Sequence, residues 1–378
     1  MIVFFLCTIF SFIDWIESLP ICNQTTKNLS LLCSDTFYDK SQYPEPLPNY
    51  VKLQFVIQNI IEINENEQTI KLSGGLELSW KDNRVKWDLD EENKPVNYPF
   101  YFTTQTEMES LWQPRVFFLN SIKHNQDSQE TGFSETFIYV DPSTLQKIHD
   151  YTFSFKCKMD FKDYPFDLHL CQLHILSGSG RSDFVQLEKP IITFTNDFHQ
   201  NLQSLQFEVA IRSLNSTNEK QFTNDSYSQA NIEFKLSRNA YIGLFSTFYI
   251  PTFTFSLLAL VSYTIPIESV PGRMGLLITL YLIAVNIYIA IDMPKPRKDI
   301  NYADIWFYAT IAPIILGVME YGAILTFSKF GDGRIFGRAV NYRFLDAIFF
   351  GISLSLTLLF SSIYLIIAFQ PFHVPLIV

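Results

Sequence analysis

The sequence predicts an all-β sandwich followed by a bundle of four membrane-spanning helices. Charged, polar and aromatic residues are interleaved up to about Asn239, and long apolar stretches follow. Hydrophobic residues make up 48% of the 378-residue chain, which suits a protein that lies partly in lipid. The mean hydropathy of +0.10 is too low for a chain wholly embedded in a membrane. We therefore expect a water-soluble half joined to a membrane half.

The first residues, about 1–20, predict a secretory signal peptide. The stretch MIVFFLCTIFSFI is apolar, as the centre of such a segment must be. No basic residue precedes it and no clear small-residue cleavage site follows it, so an anchoring helix is the alternative.

The cysteines and glycosylation sequons indicate an extracellular compartment for the first half. The sequons all precede the apolar half and lie at Asn23, Asn28, Asn215 and Asn224. Thiols oxidise in that compartment, so we expect the disulfides Cys157–Cys171 and Cys22–Cys33. Cys7 lies in the predicted signal peptide. No Cys or His stands at a spacing that suits a tetrahedral metal site, and we expect no metal and no cofactor.

Residues 21–238 are predicted to form the extracellular sandwich, with immunoglobulin-like topology. The stretches NYVKLQFVIQNI, QTIKLSGGLELSW and ETFIYV alternate apolar and polar residues, as half-buried strands do. Turn residues interrupt them at INENE, DNR and SGSGRS. Helical patterns of comparable strength are missing from this half, so a sandwich of two sheets is favoured.

The membrane domain is predicted over 239–378. Its four apolar spans lie at about 241–263, 272–291, 304–327 and 344–369. A short loop, 328–343, joins the last two, and its basic residues place it in the cytosol and the amino terminus outside. We expect a multi-pass protein of the plasma membrane.

One face of the second span mixes polar and apolar residues. Spacings of three and four residues bring together Gly275, Thr279, Leu282, Asn286, Ile289 and Met293. A water-filled pore would explain the amide of Asn286, because polar groups at membrane depth must be satisfied by protein or water. A helix-packing stripe is the alternative, since Gly, Thr and Asn also join helices.

The stretch CKMDFKDYPFDLHLC, from Cys157 to Cys171, is the most specific motif in the chain. Thirteen residues separate its cysteines, and Phe161, Tyr164, Pro165 and Asp167 stand between them. In these positions the chain resembles the pentameric Cys-loop ligand-gated ion channels. The similarity extends to WKDNRVKW, LWQPRVFFLN, FKLSRN, ESVPGR and DIW…MEYG. Of these, FKLSRN and ESVPGR are most similar to the GABA and glycine receptor branch.

This resemblance implies a neurotransmitter receptor built from five subunits, with the second helix of each lining the pore. The expected partners are four further subunits, a small extracellular ligand bound between subunits, a permeant ion and the lipid bilayer, at a postsynaptic membrane. Leu282 and Ile289 would form the constriction that gates by dewetting.

The resemblance also implies that the loop tip, Tyr164-Pro165-Phe166, couples ligand binding to the pore. It would touch the stretch MPKPRKD between the second and third spans. The expected partners across this contact are Asp160, Asp163 and Asp167 on one side and Lys295, Arg297 and Lys298 on the other. An aromatic residue before Pro165 favours a cis peptide bond.

Ion selectivity is predicted from the cytosolic end of the second helix, Pro271-Gly272-Arg273. In this family an acid beside that end accompanies cation conduction, and here Glu268 lies further away. We expect the fixed charge of Arg273 to attract anions, so chloride is the expected permeant ion. Asp292, near the outer mouth, keeps cation conduction as the alternative.

The ligand pocket departs from the aromatic box that is common in this family. Gly178 stands where an aromatic residue is frequent, and Arg115 replaces the usual acid after WQP. The candidate ligand-binding residues are Phe118, Asn120, Phe222 and Tyr227. A biogenic amine is therefore not favoured, and protons, a metal ion, a small organic ligand or the role of a silent partner subunit remain open.

Other classes of function are disfavoured by the sequence. The net charge is −10 and no basic stripe interleaved with aromatics occurs, so a nucleic-acid partner is not expected. No nucleophile–base set or phosphate-binding loop is present, so an enzyme is not expected either. A membrane-anchored binding receptor without a pore is the competing hypothesis.

Overall fold

The computed structural model describes residues 39–84, 100–102, 111–122, 134–138, 144–196, 198, 206–220, 225–239, 241–291, 293–295, 299–330, 334–335, 338–339 and 342–368. These residues fall into two compact units. The first holds those within 1–158, 170–205 and 211–235, and the second those within 159–169, 206–210 and 236–378. The predicted signal peptide, Cys22, Cys33, Asn23 and Asn28 lie outside the described residues.

The first half folds as two β-sheets, as the alternating patterns predict. Thirteen strands precede the helices in the described part: β1 (Asn49–Asn64), β2 (Thr69–Lys81), β3 (Phe100–Phe102), β4 (Val116–Phe118), β5 (Ser121–Ile122), β6 (Ser134–Ile138), β7 (Thr144–Lys156), β8 (Leu168–Ser177), β9 (Val185–Leu187), β10 (Ile191–Phe194), β11 (Phe207–Ser213), β12 (Thr217–Lys220) and β13 (Ser226–Arg238). One sheet has the order β10-β1-β2-β7-β6-β3, with β5 on β7 and β9 on β1. The other has the order β11-β13-β8-β4, with β12 on β13.

The core lies between these sheets. Along β1, the side chains of Val51, Leu53, Phe55 and Ile57 are buried while their neighbours face outward. The rings of Phe155 on β7 and Phe234 on β13 have centroids 5.2 Å apart, which joins the two sheets directly. The predicted sandwich is therefore confirmed.

The pair Gly74-Gly75 in β2 has a steric cause. The register between β1 and β2 shifts between Ile57 and Asn59, so the two backbones approach closely there. A Cβ added at Gly74 would collide with the carbonyl oxygen of Val56. Glycine is required at this bulge because any side chain would push the strands apart.

Four helices of the second half are long and apolar enough to cross a membrane. The first span is composite: α1 (Tyr241–Leu244), a π-helical turn (Phe245–Tyr249), α2 (Ile250–Val261) and a 3₁₀ turn (Ser262–Thr264). Pro251 lacks an N–H, which removes one α-helical hydrogen bond beside the π turn. The other spans are α3 (Val270–Ala290), α4 (Tyr302–Phe330) and α5 (Tyr342–Ala368), within a few residues of the predicted ranges.

Hydrogen bonds join the first span to α4 and α5 inside the bundle. The hydroxyls of Tyr249 and Tyr364 lie 2.7 Å apart, and Trp306 Nε1 donates to Thr252 Oγ1 at 2.9 Å. Away from water such bonds supply part of the force that the hydrophobic effect supplies in soluble cores. Between α4 and α5 the residue pairs Arg334–Ile335 (β14) and Arg338–Ala339 (β15) form a small hairpin.

Candidate functional site

A disulfide closes the loop from Cys157 to Cys171, called the disulfide loop below. The two Cα atoms are 5.0 Å apart and both cysteines are buried. Residues 159–169 of the loop belong to the second compact unit, together with the helices. The Tyr164–Pro165 peptide bond is cis, in agreement with the sequence prediction.

Asp167 of the disulfide loop is buried against an arginine that the sequence analysis did not assign a role. Arg238, the last residue of β13, donates from Nε to Asp167 Oδ1 at 2.7 Å and from Nη2 to Oδ2 at 3.0 Å. His169 Nε2 donates to Oδ2 of the same carboxylate at 2.6 Å. The rings of Tyr164 and Phe207 flank the guanidinium, with centroids 4.8 and 4.6 Å from its carbon. This buried cluster ties the loop tip to the residue three positions before α1.

The carboxylate of Asp167 is held in its ionised form. Burial alone would raise its pKa, but the hydrogen bonds from His169 and Arg238 outweigh burial and lower the pKa to about 2. Asp167 is 1% exposed, and its hydrogen-bond partners His169 and Arg238 belong to the same compact unit, the second. The only sequence signal for the pair was the presence of both residues in motifs, YPFD and FKLSRN, far apart in the chain.

The expected partnership of Asp167 with Lys295 is therefore wrong. The carboxylate is buried, and the hydrogen bonds that it accepts among the described residues come from His169 and Arg238. Lys295 is exposed, whereas Arg297 and Lys298 lie outside the described residues. Asp160 and Phe166 stand nearer the loop surface: Asp160 is exposed and caps the N–H of Lys162 at 3.1 Å.

Most residues of the predicted stripe are exposed on the surface of helix α3. Gly275, Thr279 and Asn286 are exposed, Leu282 is 54% exposed and Ile289 is 72% exposed. The opposite side, with Leu277, Leu280 and Ala284, packs into the bundle. Only 22% of this span is buried within the chain. The hydroxyl of Thr279 donates to the carbonyl of Gly275 at 2.7 Å, so Asn286 is the polar side chain of the stripe that most needs a partner outside the helix.

Met293 does not belong to this stripe. The helix ends at Ala290, and Ile291 has an extended backbone. Met293 therefore leaves the helical periodicity, and its side chain is 6% exposed.

Arg273 is buried, which corrects the expectation that its charge acts at the pore mouth. It is 0% exposed, and it donates to Glu320 Oε2 at 2.6 Å and to Asp346 Oδ1 at 2.9 Å. The rings of Tyr321 and Tyr263 lie 4.6 and 5.3 Å from the guanidinium carbon. Two carboxylates thus compensate one arginine, and the cluster joins α3, α4 and α5. Pro271 and Gly272, the other two residues predicted for selectivity, are exposed.

The proposed ligand residue Asn120 is engaged in holding strands together. Its amide nitrogen donates to the carbonyls of Gln172 at 2.7 Å and Lys156 at 3.2 Å, and its oxygen accepts from His174 N–H at 3.2 Å. These bonds use both amide protons. Asn120 therefore fixes the shape of this region rather than offering a free amide to a ligand.

Phe118 lies in a half-buried aromatic cluster on β7. Its ring stacks on Phe153 at 4.4 Å and meets Tyr151 edge-on at 5.3 Å. His149, beside Tyr151 at 5.7 Å, has its pKa lowered to about 4 by burial and by the charge of Lys147. The imidazole is neutral at physiological pH, so the rings of this cluster carry no charge, although the ammonium of Lys147 lies near them.

The ring of Phe117 occupies the space beside Gly178. A Cβ added at Gly178 would collide with that ring. Phe117 is 55% exposed, so an aromatic surface is present here although it comes from β4. The sequence analysis included Phe117 in the motif LWQPRVFFLN but did not single it out. Its signal was the alternation in VFF, which sends Phe117 and Phe118 to opposite faces.

The structure describes two of the remaining predicted residues, Tyr227 and Asn215. Tyr227 pairs with Glu219 between β12 and β13 and is half-buried, and Asn215 is exposed, as a glycan acceptor must be. Phe222 and Asn224 lie outside the described residues. No group of three or more potential metal ligands occurs among the residues that were described.

Residues 25–240 match the family model described as "Neurotransmitter-gated ion-channel ligand binding domain". This match covers more than half of the chain and contains both sheets and the disulfide loop. The chain belongs to the neurotransmitter-gated ion-channel family. That family is not enzymatic, in agreement with the sequence analysis.

Relatives within this family are distant. The chain is 22% identical over 275 residues to human "Gamma-aminobutyric acid receptor subunit rho-2", covering 71% of this chain and 56% of that protein. It is 25% identical over 273 residues to mouse "Gamma-aminobutyric acid receptor subunit rho-1", covering 71% and 54%. It is 23% identical over 171 residues to "Acetylcholine receptor subunit alpha-type acr-15" of Caenorhabditis elegans, covering 43% and 34%. The chain spans about half the length of the rho subunits that it matches.

Substitution of Asp167 should destabilise this protein, and the size of the effect should depend on pH. Because the folded-state pKa of about 2 lies below the usual 3.8, the stabilisation is complete above about pH 4 and is lost as the pH falls towards 2. Asp167→Asn should lower the free energy of unfolding at neutral pH by about 3–5 kcal/mol, because Arg238 is left buried without its counter-charge. Thermal unfolding of the purified protein at several pH values measures this difference.

The control is Asp183→Asn, whose carboxylate is 71% exposed beside Arg181 and should change stability little. A deficit in Asp167→Asn that stays constant between pH 4 and pH 2 would contradict the assignment of the pair.

Arg273→Gln should be poorly tolerated, since it leaves two carboxylates in the bundle without a cation. The expected loss is about 3–5 kcal/mol of stability, seen as reduced surface delivery and lower thermal stability. The triple variant Arg273→Met, Glu320→Gln and Asp346→Asn removes all three charges and should recover most of the loss. Arg181→Gln is the control, because this guanidinium is 47% exposed and pairs with the exposed carboxylates of Asp183 and Asp225. If the triple variant is no more stable than Arg273→Gln, the cluster does not act as one electrostatic unit.

Proposed function

We propose that this chain is one subunit of a pentameric, extracellular-ligand-gated ion channel in the plasma membrane. The exposed stripe of α3 carries this proposal. It combines a small residue, a hydroxyl, an amide and two bulky aliphatic side chains on a helix that is only 22% buried in its own chain. Lipid offers the amide of Asn286 no hydrogen bond, whereas neighbouring copies of α3 around water would.

Two features of the sequence support the same orientation and setting. The sequons at Asn23, Asn28, Asn215 and Asn224 would carry glycans outside the cell, and the hairpin between α4 and α5 would lie in the cytosol. A postsynaptic location follows only from the kind of receptor that the relatives' names describe.

Gating would begin at the sandwich and reach α3 through the disulfide loop. A ligand can shift the channel only by binding one sandwich arrangement more tightly than another. The buried Asp167–Arg238 pair would make the disulfide loop and the start of the first span move together. A change in the sandwich would therefore displace α1. Tyr164, Pro165 and Phe166 form the tip next to that pair, and Leu282 and Ile289 would close the pore by dewetting.

The ligand is proposed to be small, organic and not a cationic amine. Phe118, Phe222 and Tyr227 remain the proposed contacts, with Asn120 fixing the shape of the site. We add Phe117, whose ring is 55% exposed over Gly178. A surface made of aromatic rings suits an uncharged or weakly polar body better than a simple ion.

Chloride is the proposed permeant ion. The rho relatives are receptor subunits for gamma-aminobutyric acid by name, and α3 contains no acidic residue between Val270 and Ala290. Arg273 no longer supports this choice, because its charge is compensated by Glu320 and Asp346. A cation channel is the second candidate, favoured by exposed Glu268 just before α3 and by the match to the acetylcholine receptor subunit.

Cysteine substitution tests the pore. Thr279→Cys and Asn286→Cys should react with a water-soluble, membrane-impermeant thiol reagent in assembled surface receptors, because their side chains would face water. Leu280→Cys, at a residue that is 5% exposed on the packed side of α3, should stay unreacted. If all three variants are equally inert in every state of the receptor, the membrane-anchored receptor without a pore is the better reading.

Reversal potentials distinguish the two selectivities. Leu282→Ser should wet the constriction and give a resting conductance, so that no agonist is needed. For a chloride channel the reversal potential should move by about 59 mV per tenfold change in chloride. Glu268→Gln in the same background should leave it unchanged. A reversal potential that follows sodium, and that Glu268→Gln displaces, would establish the cation channel instead.

A further inference from the structure

A cavity of about 490 Å³ lies at one end of the helical bundle. Its walls come from the end of the first span, the turn before α3 and the first turns of α5. Its volume falls within the range of small-molecule sites, about 300–1,000 Å³. The residues that matter for its chemistry are Tyr263, Ile265, Glu268, Arg343, Asp346 and Phe350.

The cavity combines an apolar wall with charges of both signs. Ile265, Tyr263 and Phe350 provide the apolar surface. Glu268 and Asp346 provide two carboxylates, and Arg343 provides a guanidinium. Within the described part of the chain, neither Glu268 nor Arg343 forms an ion pair, and both are exposed. The site therefore offers an anion and a cation that are not already neutralised by each other.

The position of the cavity favours a ligand that lies in the membrane interface. The first span ends at Thr264 and the fourth begins at Arg343, so the charged residues stand at the depth of lipid headgroups. The fourth span is the most hydropathic, at 2.0, and the least buried, at 17%. A helix of that kind lies against lipid, which gives acyl chains access to the wall that it forms with the first span.

We propose that this cavity binds the headgroup of an aminophospholipid with a primary ammonium, such as phosphatidylethanolamine. The ammonium would donate to the carboxylates of Glu268 and Asp346, and the phosphate would accept from Arg343. The acyl chains would follow Ile265 and Phe350 along the first and fourth spans. A choline headgroup has the same phosphate but no N–H, so it cannot form the hydrogen bonds to the carboxylates.

Asp346 links this site to the helix that carries the stripe. Its Oδ1 accepts from Arg273 of α3 at 2.9 Å. A bound ammonium would therefore lie next to the ion cluster that orients α3. The lipid site itself depends only on the bundle and the membrane, and it holds whichever ion the channel conducts.

The test is retention of lipid by the full-length protein. The chain is purified in detergent with equal amounts of phosphatidylethanolamine and phosphatidylcholine of identical acyl chains, and bound lipid is counted by native mass spectrometry. Wild type should retain at least about tenfold more of the ethanolamine lipid, because even one of the two proposed charge-assisted hydrogen bonds gives that preference. Glu268→Gln, at an exposed side chain, removes one of the two carboxylates and should lower this ratio several-fold.

A second pair of variants tests the cavity itself. Ala347→Trp fills it and should abolish the retained lipid. Ile348→Trp places the same ring at the next residue of α5, which is 41% exposed and does not line the cavity, and should retain the lipid. The proposal is overturned if wild type shows no preference between the two lipids, or if Glu268→Gln keeps the wild-type ratio. It is also overturned if the two Trp variants behave alike while both remain folded.

Discussion

The buried ion pair of Asp167 with Arg238 is the interaction on which the proposed coupling depends. Two N–H···O bonds in the fixed fork of a guanidinium, at 2.7 and 3.0 Å, leave little freedom between the disulfide loop and the end of β13. The chain enters the first span at Tyr241, three residues later. An exposed contact between acids and lysines would be worth about 0–1 kcal/mol and could not hold the loop so firmly. Burial changes this, because breaking the pair leaves an uncompensated charge.

A second buried cluster has the corresponding role inside the bundle. Arg273 joins α3 to Glu320 on α4 and Asp346 on α5. Fixing Arg273 inward also fixes the rotation of α3, because residues three and four positions apart share a face. Leu277, Leu280 and Ala284 then pack on the same side, and Thr279 and Asn286 face away. The charge of Arg273 therefore orients α3 and does not face the proposed ion path.

The exposed faces of the bundle differ in the surroundings that they suit. The exposed surface of the fourth span is largely apolar and includes Leu356, Leu359 and Ile366, as a lipid-facing helix should. The stripe of α3 carries an amide that lipid cannot satisfy. The proposed lipid cavity adds a third environment at the interface, where charges and apolar side chains meet. In the proposed pentamer these three surfaces would face lipid, lipid headgroups and water.

The sequence by itself determined the two-part architecture, the four spans, the Cys157–Cys171 disulfide and the stripe from Gly275 to Ile289. These follow from local periods of two and 3.6 residues and from composition, which need no knowledge of distant contacts. Tertiary structure alone decided the partners of Asp167 and Arg273, the bonds of Asn120 and the ring of Phe117 over Gly178. Each joins residues far apart in sequence, and charge type does not reveal whether a side chain is buried. Arg273 shows this most clearly, since an arginine at a helix end predicts a free charge until its two carboxylates are found.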